Sequence, residues 1–226
     1  MPAVDALLIG RASALGPEAL PSGIAKVSVA GRQKLNSNGF VGDEQGDLRH
    51  HGGPDKAVHH YPSEHYAAWR KEIGDLELLH EPGAFGENLA TRGLTESDVA
   101  IGDRFRFGTS LVEVTQGRQP CFRLNLRFER PDMAVTMQNS GRTGWYYRVI
   151  EPGMVARGDQ FDLVERLSPA WTIERLWRLF YIDVLDRDGL REMASVANLP
   201  ERWRAICEAR LSTGLIEDWQ RRLTGA

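Results

Sequence analysis

The chain has 226 residues, a length at which roughly three quarters of the unfolded surface can be buried without disulfide or metal staples. With 28 basic against 31 acidic side chains the net charge is −3, so no global positive field draws it to nucleic acid or anionic lipid. Cys121 and Cys207 lie in unrelated contexts and imply no disulfide framework. No basic leader opens the chain and no apolar run reaches the ~18 residues of a membrane helix, which predicts a cytoplasmic protein.

Residues 1–23 carry Gly10, Gly16, Pro17, Pro21 and Gly23 and read as irregular entry chain with one short strand at residues 6–9. In residues 24–30, Val27 and Val29 alternate onto one face, as in a half-buried strand. A turn-rich link over residues 39–43 then leads to a block holding five of the six histidines: His50, His51, His59, His60 and His65. Within it Gly52-Gly53-Pro54-Asp55 must turn, because glycine admits positive φ and proline fixes its own, and successive N–H groups there can line an anion-binding concavity. Residues 57–61 read as a strand with His59 and His60 on opposite faces, and Tyr66, Trp69 and Ile73 repeat at helical spacing through residues 62–73. The histidine spacing matches neither an HExxH pair nor a Cys/His finger, so structural and supporting roles lead, with zinc as the runner-up.

In residues 82–91, glycines flank Phe85, and Glu87 and Asn88 follow. This is either a loop whose backbone approaches a partner closely or an ordinary loop. Arg104-Phe105-Arg106-Phe107 and Leu111-Val112-Glu113-Val114 alternate across Gly108-Thr109-Ser110, a hairpin with a three-residue turn. Its second strand leads to Arg118-Gln119-Pro120-Cys121. A thiol beside an arginine and a rigid proline can be activated as the thiolate that attacks carbon or binds a soft metal; otherwise it is a small buried hydrophobe. Residues 132–138 read as a short helix running into Asn139-Ser140-Gly141-Arg142-Thr143-Gly144, which either offers N–H groups, a hydroxyl and a guanidinium to a phosphate or only caps the helix. Further strands at residues 145–150 and 160–164 complete a run of short strands without βαβ alternation. The pattern predicts a mainly β fold over residues 1–167, a closed or nearly closed β-barrel with a few short helices.

At Ser168-Pro169 the pattern becomes helical. Ile173, Leu176, Trp177 and Phe180 form one stripe, Leu190, Met193, Ala194 and Ala197 a second, and Trp203, Ile206 and Cys207 a third that ends near Gly214. Residues 168–226 thus read as a small three-helix domain with a short tail at Ile216, Trp219 and Leu223. Nine arginines against nine acids in this stretch argue against a DNA reader. The default role is to cap the barrel; docking an electron donor or forming a homodimer are the alternatives.

Taken together these segments resemble a MOSC domain of the YiiM type, over essentially the whole chain. The motifs that carry the likeness are Gly42-Asp43-Glu44-Gln45, His51-Gly52-Gly53-Pro54-Asp55-Lys56-Ala57 with His60-Tyr61-Pro62, Phe85-Gly86-Glu87-Asn88-Leu89, Ile101-Gly102-Asp103, Arg118-Gln119-Pro120-Cys121 and the helical tail. One departure is Gly117, where the family often has proline before the arginine.

The resemblance implies a barrel that binds a molybdenum pyranopterin cofactor with Cys121 as the metal's protein ligand. It also implies reduction of N-hydroxylated compounds, such as hydroxylaminopurine-type bases, with electrons from a separate reductase. On that reading the cofactor, including its phosphate, is held by Gly52, Gly53, Lys56, Phe85, Asn88, Arg118, Arg142 and Thr143. Protons come from His51 and His60, oriented by Glu87 or Asp55. Two other readings use the same cysteine: a non-catalytic carrier of the cofactor or its sulfur, and a zinc site or hydrolase built from Cys121 with His51 or His60.

Overall fold

The structure is a computed structural model that describes residues 2–47 and 52–225. Its strands are β1 (Val4–Ile9), β2 (Ser13–Leu15), β3 (Leu20–Ser22), β4 (Val27–Ser28), β5 (Gln33–Asn36), β6 (Gly39–Phe40), β7 (Val58–Pro62), β8 (Leu89–Thr91), β9 (Arg104–Phe107), β10 (Ser110–Gly117), β11 (Trp145–Glu151), β12 (Gly153–Val155) and β13 (Asp162–Glu165). The helices are α1 (Glu64–Ile73), α2 (Arg123–Phe128), α3 (Met133–Ser140), α4 (Ile173–Tyr181), α5 (Arg187–Ala194), α6 (Glu201–Thr213) and α7 (Gln220–Thr224).

Eight strands form one sheet in the order β13-β9-β10-β11-β7-β8-β1-β4. The sheet is mixed, because β7 pairs in parallel with β8 while its other neighbours run antiparallel. It curls into an open half-barrel whose edge strands β13 and β4 do not pair. An isolated bridge between Ala3 and Gln160 ties the start of β1 to the approach to β13. The expectation of a mainly β, closed or nearly closed barrel is corrected here to a mixed α/β half-barrel. Helices provide the cover that closure would have supplied: Ile173, Leu176, Phe180 and Trp203 bury themselves in one apolar cluster with Val112, Val114 and Trp145 of the sheet.

Smaller expectations change for local reasons. Of residues 24–30 only Val27 and Ser28 form strand, with the Val29 N–H adding a bond to the Leu7 carbonyl at 2.9 Å; Val27 is 66% exposed while Val29 packs partly buried against the main core, so the two do not share one buried face. The β9–β10 connection is the two-residue turn Gly108-Thr109, with Gly108 at φ +55°. Residues 13–22 form the β2–β3 hairpin instead of irregular chain. A second, three-stranded sheet joins β12, β5 and β6.

A second apolar cluster lies under α1, α2 and α3, where Tyr61, Tyr66, Trp69, Phe128 and Met137 surround Phe85. The rings of Phe85 and Tyr61 stack with centroids 4.4 Å apart. Among the described residues no helix is long and apolar enough to cross a membrane.

Candidate functional site

Strand β10 is buried along its whole length and delivers the chain at Gly117 into the segment Arg118-Gln119-Pro120-Cys121, directly before α2. That segment is pinned at several points. The Arg118 N–H donates to the Gly144 carbonyl at 3.1 Å, and the Phe122 N–H to the Arg222 carbonyl at 2.8 Å. The Arg222 guanidinium donates to the Pro120 carbonyl and, at 2.6 Å, to Oε1 of Gln138. A loop with a glycine at its entry is thereby held by the far end of the chain.

Cys121 is 9% exposed and lies where two cavities meet. The smaller, about 80 Å³, is lined by Lys26, Asp43, His59, Phe85, Asn88 and Arg118. The larger, about 460 Å³, is walled by Gln119, Phe122 and three arginines of the C-terminal helices, Arg202, Arg221 and Arg222. Lys56, Asp47, Arg123 and Tyr146 border both. The larger volume falls in the ~300–1,000 Å³ range of small-molecule sites.

Of the residues picked out from sequence, Cys121, Lys56, Phe85, Asn88 and Arg118 line these cavities together. His51 lies outside the described residues.

His60 is not at the cavities. It is fully buried between strands, with Nδ1 2.9 Å from the Tyr147 hydroxyl and Nε2 2.9 Å from that of Thr91. Burial pushes its pKa down to about 3. Both nitrogens are taken and the ring is neutral, so the expectation of a proton donor here is corrected, and with it a Cys121–His60 zinc pair.

Glu87 is also fully buried and lines neither cavity. Its Oε1 accepts from the Gly83 N–H at 2.7 Å and from the Tyr66 hydroxyl, and its Oε2 from the Phe85 N–H at 3.1 Å, so it clamps the 83–87 turn. Burial, and then Glu87, push the Tyr66 phenol well above its ordinary value.

Arg142 stacks on Trp69, 3.8 Å from the ring centroid, and pairs with Glu72. Thr143 is buried and bonded to its own loop, at Gly144. With Gly141 at φ +74° ending α3, the 139–144 segment is a helix cap and offers no phosphate cradle to the cavities. Gly52 and Gly53 border neither cavity; Gly53, at φ +100°, starts the short turn that presents Lys56.

Sequence reasoning passed over His59. It lies on the opposite face of β7 from His60, is 3% exposed, and its buried Nε2 has no hydrogen-bond partner of good geometry. Burial, then the positive charge of Arg118, hold its pKa well below the ordinary histidine value, with the carbonyls of Gly86 and Thr143 acting in the opposite direction. The buried Lys26–Asp43 pair is likewise marked as a unit by no local pattern. Asp43 Oδ2 accepts from the Asn88 amide at 2.9 Å, and Asn88 Oδ1 accepts from the backbone N–H of His59 at 3.1 Å. Lys26, Asp43, Asn88 and His59 are therefore one connected polar wall. Burial lowers the Lys26 pKa, against the pull of Asp43. At Lys56 burial, then Arg202, bring the amine down to about 8, opposed by Cys121, Asp55 and Asp47.

These elements define a protein with a single thiol set in a cation-lined cleft between a half-barrel and a helical extension. The chain matches the MOSC domain over residues 47–162 and the YiiM-like, 3-alpha helix domain over residues 171–214. It is 44% identical over 209 residues to Protein YiiM of Escherichia coli (strain K12), covering 92% of this chain and 93% of that one. The crystal structure of YiiM from Escherichia coli superposes with a TM-score of 0.82 at 36% identity, over 98% of each chain. A protein of Gibberella moniliformis (strain M3125 / FGSC 7600) named Reductase is 38% identical over 170 residues, which is 75% of this chain but 30% of that protein. The chain belongs to the MOSC family, in its YiiM-like form with the three-helix extension.

Proposed function

We propose that the protein is a molybdenum cofactor-dependent reductase of N-hydroxylated compounds. The observation that carries this reading is the convergence of one thiol, Cys121, with Lys56 and Arg118 on a common cavity. MOSC domains are associated with molybdenum cofactor binding, and the name of the fungal relative is consistent with redox chemistry.

The residues present fit such a group. A soft thiolate suits molybdenum, buried cations suit a phosphate tail, and the Asn88 and His59 side chains that line the same cavity suit the polar edge of a heterocycle. Cys121 would hold the metal, Arg118 the anionic part, and Asn88 with His59 the polar edge of the ring system. When bound, the group supplies two-electron reduction. The balanced reaction is R–NHOH + 2e⁻ + 2H⁺ → R–NH₂ + H₂O, with electrons from a separate reductase protein.

The chain's own part is to orient the N–OH group, exclude bulk water and deliver protons. Lys56, which borders both cavities beside Cys121, is the donor placed to do so, while His59 serves as a neutral hydrogen-bonding wall. Through Arg202, Arg221 and Arg222 the helical extension walls the cleft in this reading, beyond merely capping the sheet, and the protein acts in the cytoplasm.

The test is molybdenum and pterin content of protein made in cofactor-competent cells, together with turnover of an N-hydroxylated purine using a chemical reductant. Wild type is expected to carry stoichiometric molybdenum and to release the amine, and Cys121→Ser to lose both. Equal molybdenum in the two proteins ends the ligand role of Cys121. A loaded wild type that leaves the substrate untouched turns the reading into that of a carrier.

A further inference from the structure

Two guanidinium groups in the larger cavity stand apart from the rest of its charges. Asp47 is paired with Arg123, 3.8 Å away, and Asp218 Oδ1 accepts the Gln220 N–H at 2.7 Å. Arg222 is committed to Pro120 and Gln138. Arg202, in the first turn of α6, and Arg221, in α7, have no carboxylate partner among the described residues, yet both wall the cleft that holds Cys121. The positive field of Arg202 reaches Lys56. The lining carries Lys56, Arg123, Arg202, Arg221 and Arg222 against Asp47 and Asp218, so cations exceed carboxylates, and an arriving anion relieves their mutual repulsion while gaining charge-assisted hydrogen bonds.

The rest of the cavity has a different character. Phe122 and Tyr146 line it with aromatic side chains, and Gln116 and Gln119 line it with amides whose Nε2 groups donate to the Asp55 carbonyl at 3.4 Å and the Tyr181 hydroxyl at 3.3 Å. Aromatic and amide walls combined with guanidinium groups suit a ligand with a planar heterocycle at one end and a dianionic group at the other. On the reductase reading the cofactor's anionic part is held in the smaller cavity, where Arg118 is buried and which neither Arg202 nor Arg221 borders.

We propose that Arg202 and Arg221 form a phosphate-monoester site for the substrate, so that the enzyme prefers an N-hydroxylated base carried on a nucleoside 5′-monophosphate over the free base or nucleoside. This rests on the reductase reading for the reaction, but the phosphate site itself can be measured without turnover. Because the two arginines come from the helical extension, that extension sets which charge state of substrate is taken.

The experiment is calorimetric titration of the full-length protein with adenosine 5′-monophosphate, adenosine and inorganic phosphate, repeated on Arg202→Gln/Arg221→Gln. Both side chains are exposed, so the double variant keeps its core. The monophosphate is expected to bind about 10–100-fold more tightly than adenosine, with an advantage that shrinks as salt rises and vanishes in the double variant. Molybdenum and pterin content is expected to stay unchanged. Equal affinity for monophosphate and nucleoside, or a preference that survives in the double variant, overturns the proposal. A fall in cofactor content on removing the arginines also overturns it, by assigning them to the cofactor. If the protein reduces no N-hydroxylated purine yet still shows the arginine-dependent preference, the reductase reading fails and the phosphate site stands.

Discussion

The backbone N–H of Phe122 donates to the carbonyl of Arg222 at 2.8 Å, so the residue next to the cleft thiol is held by the last helix of the chain. The Arg222 side chain reinforces the link through the Pro120 carbonyl and Gln138, and the Asn125 amide adds a bond to the Leu223 carbonyl at 2.8 Å. The Cys121 loop and the tail are one mechanical unit.

Arg222→Ala should therefore loosen the Cys121 loop. It leaves the buried Gln138 side chain and the Pro120 carbonyl without their charged donor, a loss of about 2 kcal/mol. The urea midpoint should fall with an unchanged slope, and alkylation of Cys121 should accelerate. An unaltered midpoint and an unaltered alkylation rate would show that the tail is not what holds the loop.

The two cysteines should react very differently. Cys121 borders both cavities, whereas Cys207 is fully buried in α6 and burial pushes its thiol up to about 11. Iodoacetamide on the native protein at pH 8, followed by peptide mass mapping, should label Cys121 and spare Cys207. Labelling in the reverse order contradicts the placement of the thiol at a cleft.

Acid should destabilise the fold through His60. Its folded pKa of about 3 lies below its ordinary value of 6.5, so between those pH values the unfolded chain binds the extra proton and stability is lost as pH falls below 6.5. The slope from one such group approaches about 1.4 kcal/mol per pH unit, and His59 acts in the same direction. Urea midpoints measured from pH 7 to pH 5 should fall less steeply for His60→Gln than for wild type. Parallel profiles would mean that His60 already takes up a proton in the native state.

The Lys26–Asp43 pair should be costly to break singly. Both side chains are almost fully buried, at 6% and 2% exposed, so Asp43→Asn leaves an uncompensated ammonium and disturbs the amide of Asn88. A loss of roughly 3–5 kcal/mol is expected, and Lys26→Met in the same chain should recover part of it. Additive losses in the double variant would deny the coupling.

Much of this molecule is legible in local pattern. Turn glycines, the alternation of β9 and the stripes of α4 and α6 follow from the periods of strand and helix, which are properties of neighbouring residues. The segments that converge on the cleft could also be named: Lys56, Phe85, Asn88, Arg118 and Cys121 all stand in short motifs, and all meet there.

What only tertiary structure decided is the direction in which each candidate faces. Alternation in β7 says that His59 and His60 point opposite ways; the pairing of β7 with β11 and β8 is what turns His60 into the core and leaves His59 at the cavity. The same holds for Glu87 and Asn88, adjacent in sequence, one clamping its own turn and the other walling the cleft. Arg222 lies 102 residues from Pro120, and no local periodicity encodes a contact across that distance. Composition and spacing record which chemical groups the chain carries. Whether a group meets ligand, solvent or hydrocarbon depends on partners brought to it by the whole fold, because burial and hydrogen bonding are set by neighbours in space.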